Sequence, residues 1–318
     1  MTLKVLVTGA NGFVGGALLS RLEVDEAFTP IAAVRDVKGF DGVCQVRSFD
    51  LCDSVSLPSM KDVDVVIHSA ARVHVMNETA VDALYEFRRA NLEGTLRLAR
   101  RASEEGVKRF VFISSIKVNG ESTQANCPFN ADDNPEPADP YSISKFEAEL
   151  ALREICHSAE MELVIIRPPL VYGPGVKANF LSMLKWLDKG VPLPFGALHN
   201  QRSLIAIGNL VDLIIICACH PAARDQVFLA SDGSDLSTTQ LLEELANAMN
   251  KKARLVAVPV YLLAALGWLL RKQDVVQRIC GSLQVDIRKN KELLGWTPPI
   301  DRKAAFRETI IHYMKGKA

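Results

Sequence analysis

The sequence predicts an α/β protein with a doubly wound parallel sheet and a smaller mixed C-terminal lobe. Three observations support this fold class. Short runs of β-branched residues alternate with helix-forming stretches over the first half of the chain, as in right-handed β-α-β units. A glycine-rich turn directly follows the first of these runs. Beyond Arg167 the alternation loosens into prolines and short helices, which predicts a second lobe.

Composition and charge exclude several classes of protein. The chain has 318 residues, of which 48% are hydrophobic and 23% charged, as expected for a globular protein. Lys+Arg and Asp+Glu both number 37, which gives no support to nucleic-acid binding. Seven scattered cysteines predict neither a disulfide framework nor a metal site. Because the strand pattern begins at Leu3 without a preceding signal peptide, we expect a cytoplasmic protein.

Hydrophobic periodicity places the individual elements along the chain. The predicted strands are Lys4–Val7, Ile31–Val34, a run near Cys44–Ser48, Val63–His68, Arg109–Ile113 and Leu163–Arg167. The predicted helices include Ala17–Leu22, one long helix from Val81 to Glu105, the helix with Tyr141, and then Asn179–Gly190, Ser237–Met249, Val260–Leu270 and Lys303–Met314.

The turn between the first strand and the first helix has the pattern of a dinucleotide-binding loop. Glycines three apart let a backbone approach a pyrophosphate at a helix N-terminus. The residues expected to contact the dinucleotide here are Gly9, Asn11, Gly12, Phe13, Val14 and Gly15. This predicts a dinucleotide-binding domain over residues 1–168, rejoined by about 203–232. Residues 169–202 and 233–318 would form the substrate lobe, with the active site between the two.

Residues at the ends of the next strands extend the predicted cofactor site. Arg35 ends the second strand and Asp36 follows it. An arginine there accommodates the 2′-phosphate of NADP, whereas an acid selects NAD. We therefore favour NADP(H), with NAD(H) possible. Asp50 and Leu51 should lie close to the adenine, and the small pair Ala70–Ala71 would let the cofactor cross the strand ends.

Tyr141 and Lys145 are spaced four apart, which puts both side chains on one face of a helix. A free tyrosine has a pKa of about 10, and a nearby ammonium group lowers it by stabilising the phenolate. Tyr141 is therefore a candidate acid or base for an alcohol or carbonyl oxygen. Ser115 follows the fifth strand, at the sheet edge where doubly wound folds bind ligands.

One apolar stretch, Leu255 to Leu270, has basic residues on both sides. It is shorter than the roughly 20 residues of a spanning helix, and Pro259 interrupts it. We expect a short strand, Leu255–Val258, followed by a buried helix from Val260, and no membrane insertion. Peripheral contact with a membrane is the second interpretation.

Taken together, these motifs resemble those of the extended short-chain dehydrogenases/reductases, which have a Rossmann-like fold. The resemblance rests on Thr8–Gly15, Ala70-Ala71, Asn91, Ser115, Tyr141 and Lys145, and continues through 167–174 to 293–298. It implies that Tyr141 is the catalytic acid/base, that Lys145 holds the nicotinamide ribose, and that Ser115 bonds the reacting oxygen. It also implies that Asn91 and Pro168 belong to the cofactor side of the site.

The resemblance also suggests a UDP-sugar substrate. Asn179, Phe195 and Arg202 fall where nucleotide-sugar members of the family hold their substrate. Phe195 would pack near the base, Asn179 would donate to the diphosphate, and Arg202 would pair with a phosphate. A helix cap, a core aromatic residue and a surface ion pair are the alternatives for Asn179, Phe195 and Arg202 respectively. A homodimer is implied as well, through the helices that contain Asn91 and Tyr141.

The residues directly after Ser115 narrow the expected reaction. Family members that are 4,6-dehydratases have an acid pair there, whereas this chain has Ile116-Lys117-Val118-Asn119, which disfavours dehydration. The first expectation is a 4-keto reductase that forms UDP-N-acetylquinovosamine for surface-polysaccharide synthesis. The alternatives are a UDP-hexose 4-epimerase with tightly bound NAD, a reductase of an apolar ketone, and a non-catalytic cofactor-sensing module.

Overall fold

A computed structural model describes residues 2–37, 44–53, 56–73, 82–124 and 126–317 of the chain. The strands in these ranges are β1 (Leu3–Thr8), β2 (Phe28–Val34), β3 (Gln45–Ser48), β4 (Val65–His68), β5 (Arg109–Ile113), β6 (Glu162–Arg167), β7 (Leu170–Tyr172), β8 (Leu204–Ala206) and β9 (Gln226–Leu229). The helices are α1 (Phe13–Glu23), α2 (Ala83–Phe87), α3 (Thr95–Glu104), α4 (Pro140–Ser158), α5 (Ala178–Asp188), α6 (Ile207–Cys219), α7 (Thr238–Ala248), α8 (Val260–Leu269), α9 (Gln273–Cys280), α10 (Arg288–Leu294) and α11 (Arg302–Lys315).

The main sheet confirms the predicted fold class. Seven strands pair in the order β3-β2-β1-β4-β5-β6-β9, and every pairing is parallel. Strands β1, β4 and β5 are almost fully buried, which explains their continuous β-branched and aromatic sequences. Helices α1 and α6 cover one face of the sheet, and α3 and α4 cover the other.

The long helix predicted from Val81 to Glu105 is interrupted by a wider turn. Val81 itself lies outside the described residues. Helix α2 passes into π-helical turns over Arg88–Gly94, and α3 continues from Thr95. Such insertions are frequent at functional sites, and this one contains Asn91.

The second lobe has its own small sheet and its own core. Strands β7 and β8 pair in parallel, and α5, α7 and α11 surround a third apolar cluster that includes Tyr172, Phe180 and Phe306. Residues 282–286 form backbone hydrogen bonds both with the loop after β5 and with the residues before β8. Thr123 donates its backbone N–H to Ser282 O at 2.9 Å, and Ser203 donates to Leu283 O at 2.8 Å.

Two expectations about the stretch from Leu255 to Leu270 are wrong. Leu255–Val258 is not a strand, because only Leu255 forms an isolated bridge, to Leu193. Helix α8 has the predicted start, but it is mostly exposed and only Leu263 and Gly267 are buried. Among the described residues, no helix combines the length and apolarity that crossing a bilayer requires.

Candidate active site

The turn after β1 requires glycine at two positions. Gly9 has a φ of +66°, and a Cβ there would lie 2.9 Å from the backbone of Ala70. A Cβ at Gly15 would lie 2.2 Å from the carbonyl oxygen of Gly9 and 2.8 Å from Ser69 Oγ. Side chains are therefore excluded where β1, α1 and the end of β4 meet.

The N-terminus of α1 is left open by this turn. Gly12 is the N-cap and has no side chain that could bond the first-turn N–H groups. Asn11 and Gly12 are exposed, whereas Phe13 and Val14 are partly buried. Unsatisfied N–H groups and the helix dipole both favour an anion at such a site. These residues fit the pyrophosphate of a nicotinamide dinucleotide.

A buried polar chain ties the ends of β1 and β4 together beneath this turn. Thr8 Oγ1 lies 2.7 Å from His68 Nδ1, and His68 Nε2 lies 2.9 Å from Thr95 Oγ1. Thr8 Oγ1 also accepts from the backbone N–H of Ala70 at 3.2 Å. Burial, helped by the charge of Lys145, holds the pKa of His68 well below its ordinary value. His68 is therefore a neutral hydrogen-bonding link, which the sequence reasoning missed.

The residues expected near the adenosine lie at the ends of β2 and β3. Arg35 is exposed directly after β2. Asp50 forms a turn in which its carboxylate accepts from Cys52 N at 2.8 Å. Leu51 is partly buried against the π-helical turns, where a Cβ on Gly94 would lie 2.4 Å from Leu51 O. Their cofactor roles stay predictions.

Helix α4 presents Tyr141 and Lys145 one turn apart. Asp139 caps the helix, and its side chain accepts from the backbone N–H of Ser142 at 2.7 Å. The Tyr141 ring packs edge-on against Phe87, with ring centroids 5.9 Å apart. The cap and this aromatic contact fix the position of the phenol.

The pKa of Tyr141 differs from the sequence expectation. Burial, and to a lesser extent the nearby Asp139 carboxylate, raise it to about 12, against the opposing effect of a hydrogen bond with the Ser115 side chain. Lys145 is not among the groups that lower it. In this environment Tyr141 is protonated at neutral pH, so it is able to donate a hydrogen bond to a substrate oxygen.

Lys145 is a buried cation that faces an aromatic ring. Its side chain is 1% exposed, and Nζ lies 3.9 Å from the centroid of the Phe112 ring. Burial lowers the pKa of Lys145 to about 7, although the Glu149 carboxylate opposes this shift. The lysine is therefore poised to change charge near neutral pH.

A buried ion pair supports the floor of the site. Glu149 and Arg167 are 1% and 3% exposed, and Arg167 Nε donates to Glu149 Oε1 at 3.0 Å. Ser114 Oγ donates to the same carboxylate, and Arg167 Nη1 donates to Asn119 Oδ1 at 2.9 Å. The ion pair and the hydrogen bond from Ser114 thus connect the end of β5, next to Ser115, with α4 and β6. Sequence reasoning missed Glu149, although it lies four residues after Lys145.

Asn91 links the segment after β4 to helix α4 by hydrogen bonds. Its side chain accepts from the backbone N–H of Arg72 at 2.8 Å and donates to Arg72 O at 3.0 Å. Its amide also donates to Ser144 Oγ at 3.1 Å, and that hydroxyl donates to Tyr141 O at 2.7 Å. The segment with Ala71 is thereby held to the helix that carries Tyr141.

The residues expected to bind substrate lie in the second lobe, whereas Pro168 belongs to the first. Pro168 is buried after β6, and its carbonyl accepts from Ile116 N at 3.0 Å. Arg202 donates through Nη1 to Gly281 O at 3.0 Å. No acid in the described part of the chain pairs with it, so the surface ion-pair alternative is not what the structure shows. Phe195 is partly buried beside the third core, and Asn179 is exposed in the first turn of α5.

Comparisons with known proteins agree with this arrangement. Residues 5–229 match the model of the "NAD dependent epimerase/dehydratase family". A "UDP-glucose 4-epimerase" from Vibrio cholerae is 46% identical over 319 residues, covering 99% of this chain and 97% of the relative. An "N-acetyl-alpha-D-glucosaminyl-diphospho-ditrans,octacis-undecaprenol 4-epimerase" from Escherichia coli O157:H7 is 30% identical, covering 88% and 82%.

The solved structures show the same fold. A UDP-glucuronic acid 4-epimerase from Bacillus cereus in complex with NAD aligns with a TM-score of 0.80 at 19% identity, covering 99% of this chain and 100% of that one. The likeness to the Vibrio cholerae relative supports the epimerase alternative better than the 4-keto reductase expected first. The chain belongs to the NAD dependent epimerase/dehydratase family.

Proposed function

We propose that this protein is a nicotinamide-dependent 4-epimerase of UDP-hexoses, with UDP-glucose and UDP-galactose as the first pair to test. The observation that carries the proposal is the 46% identity to a UDP-glucose 4-epimerase over nearly the whole of both chains. The pairing of Tyr141 with Ser115, with Lys145 one turn away on α4, is the chemistry that such a reaction needs.

The bound nicotinamide would supply the oxidation and reduction at C4 of the sugar. Tyr141 and Ser115 would bond the C4 oxygen, and Tyr141 would exchange its proton with that oxygen as C4 changes between alcohol and ketone. Ser115 would orient the oxygen and stabilise the charge that develops on it. The hydrogen bond with Ser115 would help Tyr141 to release its proton, because it is the contact that opposes the rise of the Tyr141 pKa to about 12.

The cofactor would be held by the α1 N-terminus. Gly9 and Gly15 have no room for side chains, so the backbone there is accessible to a pyrophosphate. Ala70 and Ala71 are small and partly exposed after β4, and Lys145 would contact the nicotinamide ribose. Asn91 would act indirectly, by positioning the residues around Ala71.

The sugar diphosphate would be bound by the second lobe. Arg202 uses one guanidinium N–H on Gly281 O, which leaves its other donors for a phosphate. Phe195 would stack beside the base, and Asn179 would donate to the diphosphate from the first turn of α5. The names of the two relatives specify substrates in which the sugar is attached to uridine diphosphate or to undecaprenyl diphosphate. A diphosphate is therefore the feature that both substrates share.

The test is turnover without added cofactor. Purified protein is incubated with UDP-glucose and with UDP-N-acetylglucosamine, and the C4 configuration of the sugars is read by NMR. We expect equilibration of at least one pair, and release of NAD on denaturation. Failure to convert either pair, together with NADPH oxidation on UDP-4-keto-6-deoxy-N-acetylglucosamine, would replace this proposal with the reductase.

The 4-keto reductase is the second candidate because of Arg35. Its exposed position after β2 is where a cation would contact the 2′-phosphate of NADP, and an epimerase that recycles its cofactor gains nothing from that phosphate. Arg35→Glu should shift the cofactor preference toward NAD in binding assays. An unchanged preference would remove this argument for the reductase.

A further inference from the structure

Helix α8 and its flanks form the main exposed apolar surface among the described residues. Nineteen large hydrophobic side chains are exposed in the described part of the chain, and nine of them lie between residues 256 and 275. We name these nine the α8 surface: Val256, Val260, Tyr261, Leu262, Leu266, Trp268, Leu269, Leu270 and Val275. Large contiguous apolar patches on a protein surface mark interaction sites.

The exposure follows from how α8 packs on α9. A Cβ on Gly267 would lie 2.5 Å from a methyl group of Val276, so glycine permits the close approach of the two helices. Only Leu263 and Gly267 of α8 are buried. Most of the remaining side chains are turned to solvent, with Tyr261 and Trp268 exposed by 71% and 70%.

Basic residues precede and follow helix α8 along the chain. Residues 251–278 contain six Lys or Arg and one acidic residue. Lys251 is paired with Asp188, whereas Lys252, Arg254, Arg271 and Lys272 are all exposed. A second copy of the chain meeting this surface across a two-fold axis would bring like charges together. Anionic lipid headgroups would instead neutralise them, and each basic residue would raise the partition about fivefold, the equivalent of about 1 kcal/mol.

The residue types also fit the boundary of a bilayer. Tyr and Trp prefer the level of the headgroups, where a ring has one apolar and one hydrated side. Leu262, Leu266 and Leu269 would enter the outer part of the acyl region, as apolar helices do when they lie in the interface plane. Helix α8, with ten residues, suits that position and not a membrane-spanning one.

Both ends of the α8–α9 segment attach to the loop that we expect to bind substrate. Before α8, Leu193 donates its N–H to Arg254 O at 2.8 Å, and Gly196 donates to Val256 O at 3.0 Å. After α9, Gly281 O accepts from Asn200 Nδ2 at 2.9 Å and from Arg202 Nη1 at 3.0 Å. A ligand on the α8 surface would therefore lie beside the loop that contains Phe195 and Arg202.

We propose that the α8 surface docks this protein peripherally on an anionic lipid bilayer. The apolar side chains enter the interface, and the flanking cations contact phospholipid phosphates. Docking would hold the substrate loop close to the membrane surface. Membrane docking does not depend on the reaction at C4, so the docking proposal and the proposed epimerase activity can be refuted independently.

Sedimentation with lipid vesicles tests this proposal. We expect full-length protein to pellet with vesicles of phosphatidylethanolamine and phosphatidylglycerol, and far less with phosphatidylcholine alone. The double variant Trp268→Glu/Leu269→Glu should reduce the partition coefficient by at least about tenfold, with turnover of a water-soluble UDP-sugar unchanged. The matched control Ile311→Glu changes a side chain on α11 that is 56% exposed and should pellet like the wild type.

The cations are tested in the same assay. Arg271→Gln/Lys272→Gln should reduce binding to the anionic vesicles, whereas Lys303→Gln/Arg307→Gln, on exposed positions of α11, should not. Equal pelleting of the wild type and Trp268→Glu/Leu269→Glu would overturn the proposal, as would absence of pelleting at low salt. The proposal would also be overturned if Trp268→Glu/Leu269→Glu dissociated a dimer in light scattering while its binding to vesicles was unchanged. The α8 surface would then be an interface with a second copy of the chain.

Discussion

Replacing Lys145 by Met should make the nucleotide-free protein more stable at pH 7 while abolishing most of its turnover. Lys145 is 1% exposed, with Nζ over the Phe112 ring. Its ammonium group has therefore lost water without gaining a contact to a carboxylate in the described part of the chain, although Glu149 favours the charge at longer range. Methionine has a similar length and no charge to desolvate.

The magnitude follows from the pKa of Lys145. It falls from 10.5 to about 7 on folding, and each pKa unit corresponds to about 1.4 kcal/mol. The charge of Lys145 therefore lowers the free energy of unfolding by at most about 5 kcal/mol. Between pH 7 and 10.5 the unfolded chain binds the extra proton, so this contribution makes the stability of the wild type rise with pH in that window. The advantage of Lys145→Met should shrink correspondingly as pH rises.

Urea unfolding followed by circular dichroism, from pH 6 to 10 on nucleotide-stripped protein, measures this difference. We expect the variant to be more stable by a few kcal/mol at pH 7, with near equality at pH 10. Lys108→Met is the matched control, because Lys108 is 79% exposed and should show no such pH-dependent difference. A Lys145→Met variant that is less stable at pH 7, or a difference that does not change with pH, would refute the reasoning.

Three other predictions concern the site. Tyr141→Phe should lower kcat by about 10²- to 10⁴-fold while cofactor binding, measured by fluorescence titration, is retained; full turnover would exclude Tyr141 as the acid/base. Gly15→Ala should abolish cofactor binding in the same titration. Gly16→Ala is the control and should bind normally, because its Cβ would be 3.3 Å from its nearest neighbour. Equal binding by the two variants would contradict the proposal that the N-terminus of α1 binds the pyrophosphate. Glu149→Gln should lower the free energy of unfolding in urea by about 3–5 kcal/mol, because Arg167 would keep a buried charge without its partner. A decrease below about 1 kcal/mol would show that this ion pair does not stabilise the fold.

The parts of the fold that were predicted from sequence are those that local pattern determines. The runs ending in Val34 and Ile113 are continuous and apolar because parallel strands are buried on both faces, and their C-terminal ends were placed correctly. The turn from Thr8 to Gly15 was recognised because glycine spacing reflects a steric requirement within a few residues. The four-residue spacing of Tyr141 and Lys145 similarly corresponds to one turn of a helix, so their placement on a single helix was also predicted from local pattern.

The parts that were missed depend on contacts between distant segments. Arg167 and Asn119 are 48 residues apart, and only the folded sheet brings them together. The pKa of Tyr141 depends on burial and on Asp139, which the four-residue spacing to Lys145 does not encode. Helix α8 was expected to be buried because it is apolar, yet hydrophobicity alone does not say whether a core or an external surface covers a helix.

The most direct test of the central claim follows a label at C4 of the sugar. UDP-[4-²H]glucose is incubated with the protein and no added cofactor, and the product is analysed by NMR and mass spectrometry. We predict UDP-galactose that retains deuterium at C4, because an enzyme that oxidises and reduces the same sugar returns the same hydride. Loss of the deuterium, or product formation only when NADPH and a 4-keto sugar are supplied, would contradict the epimerase account.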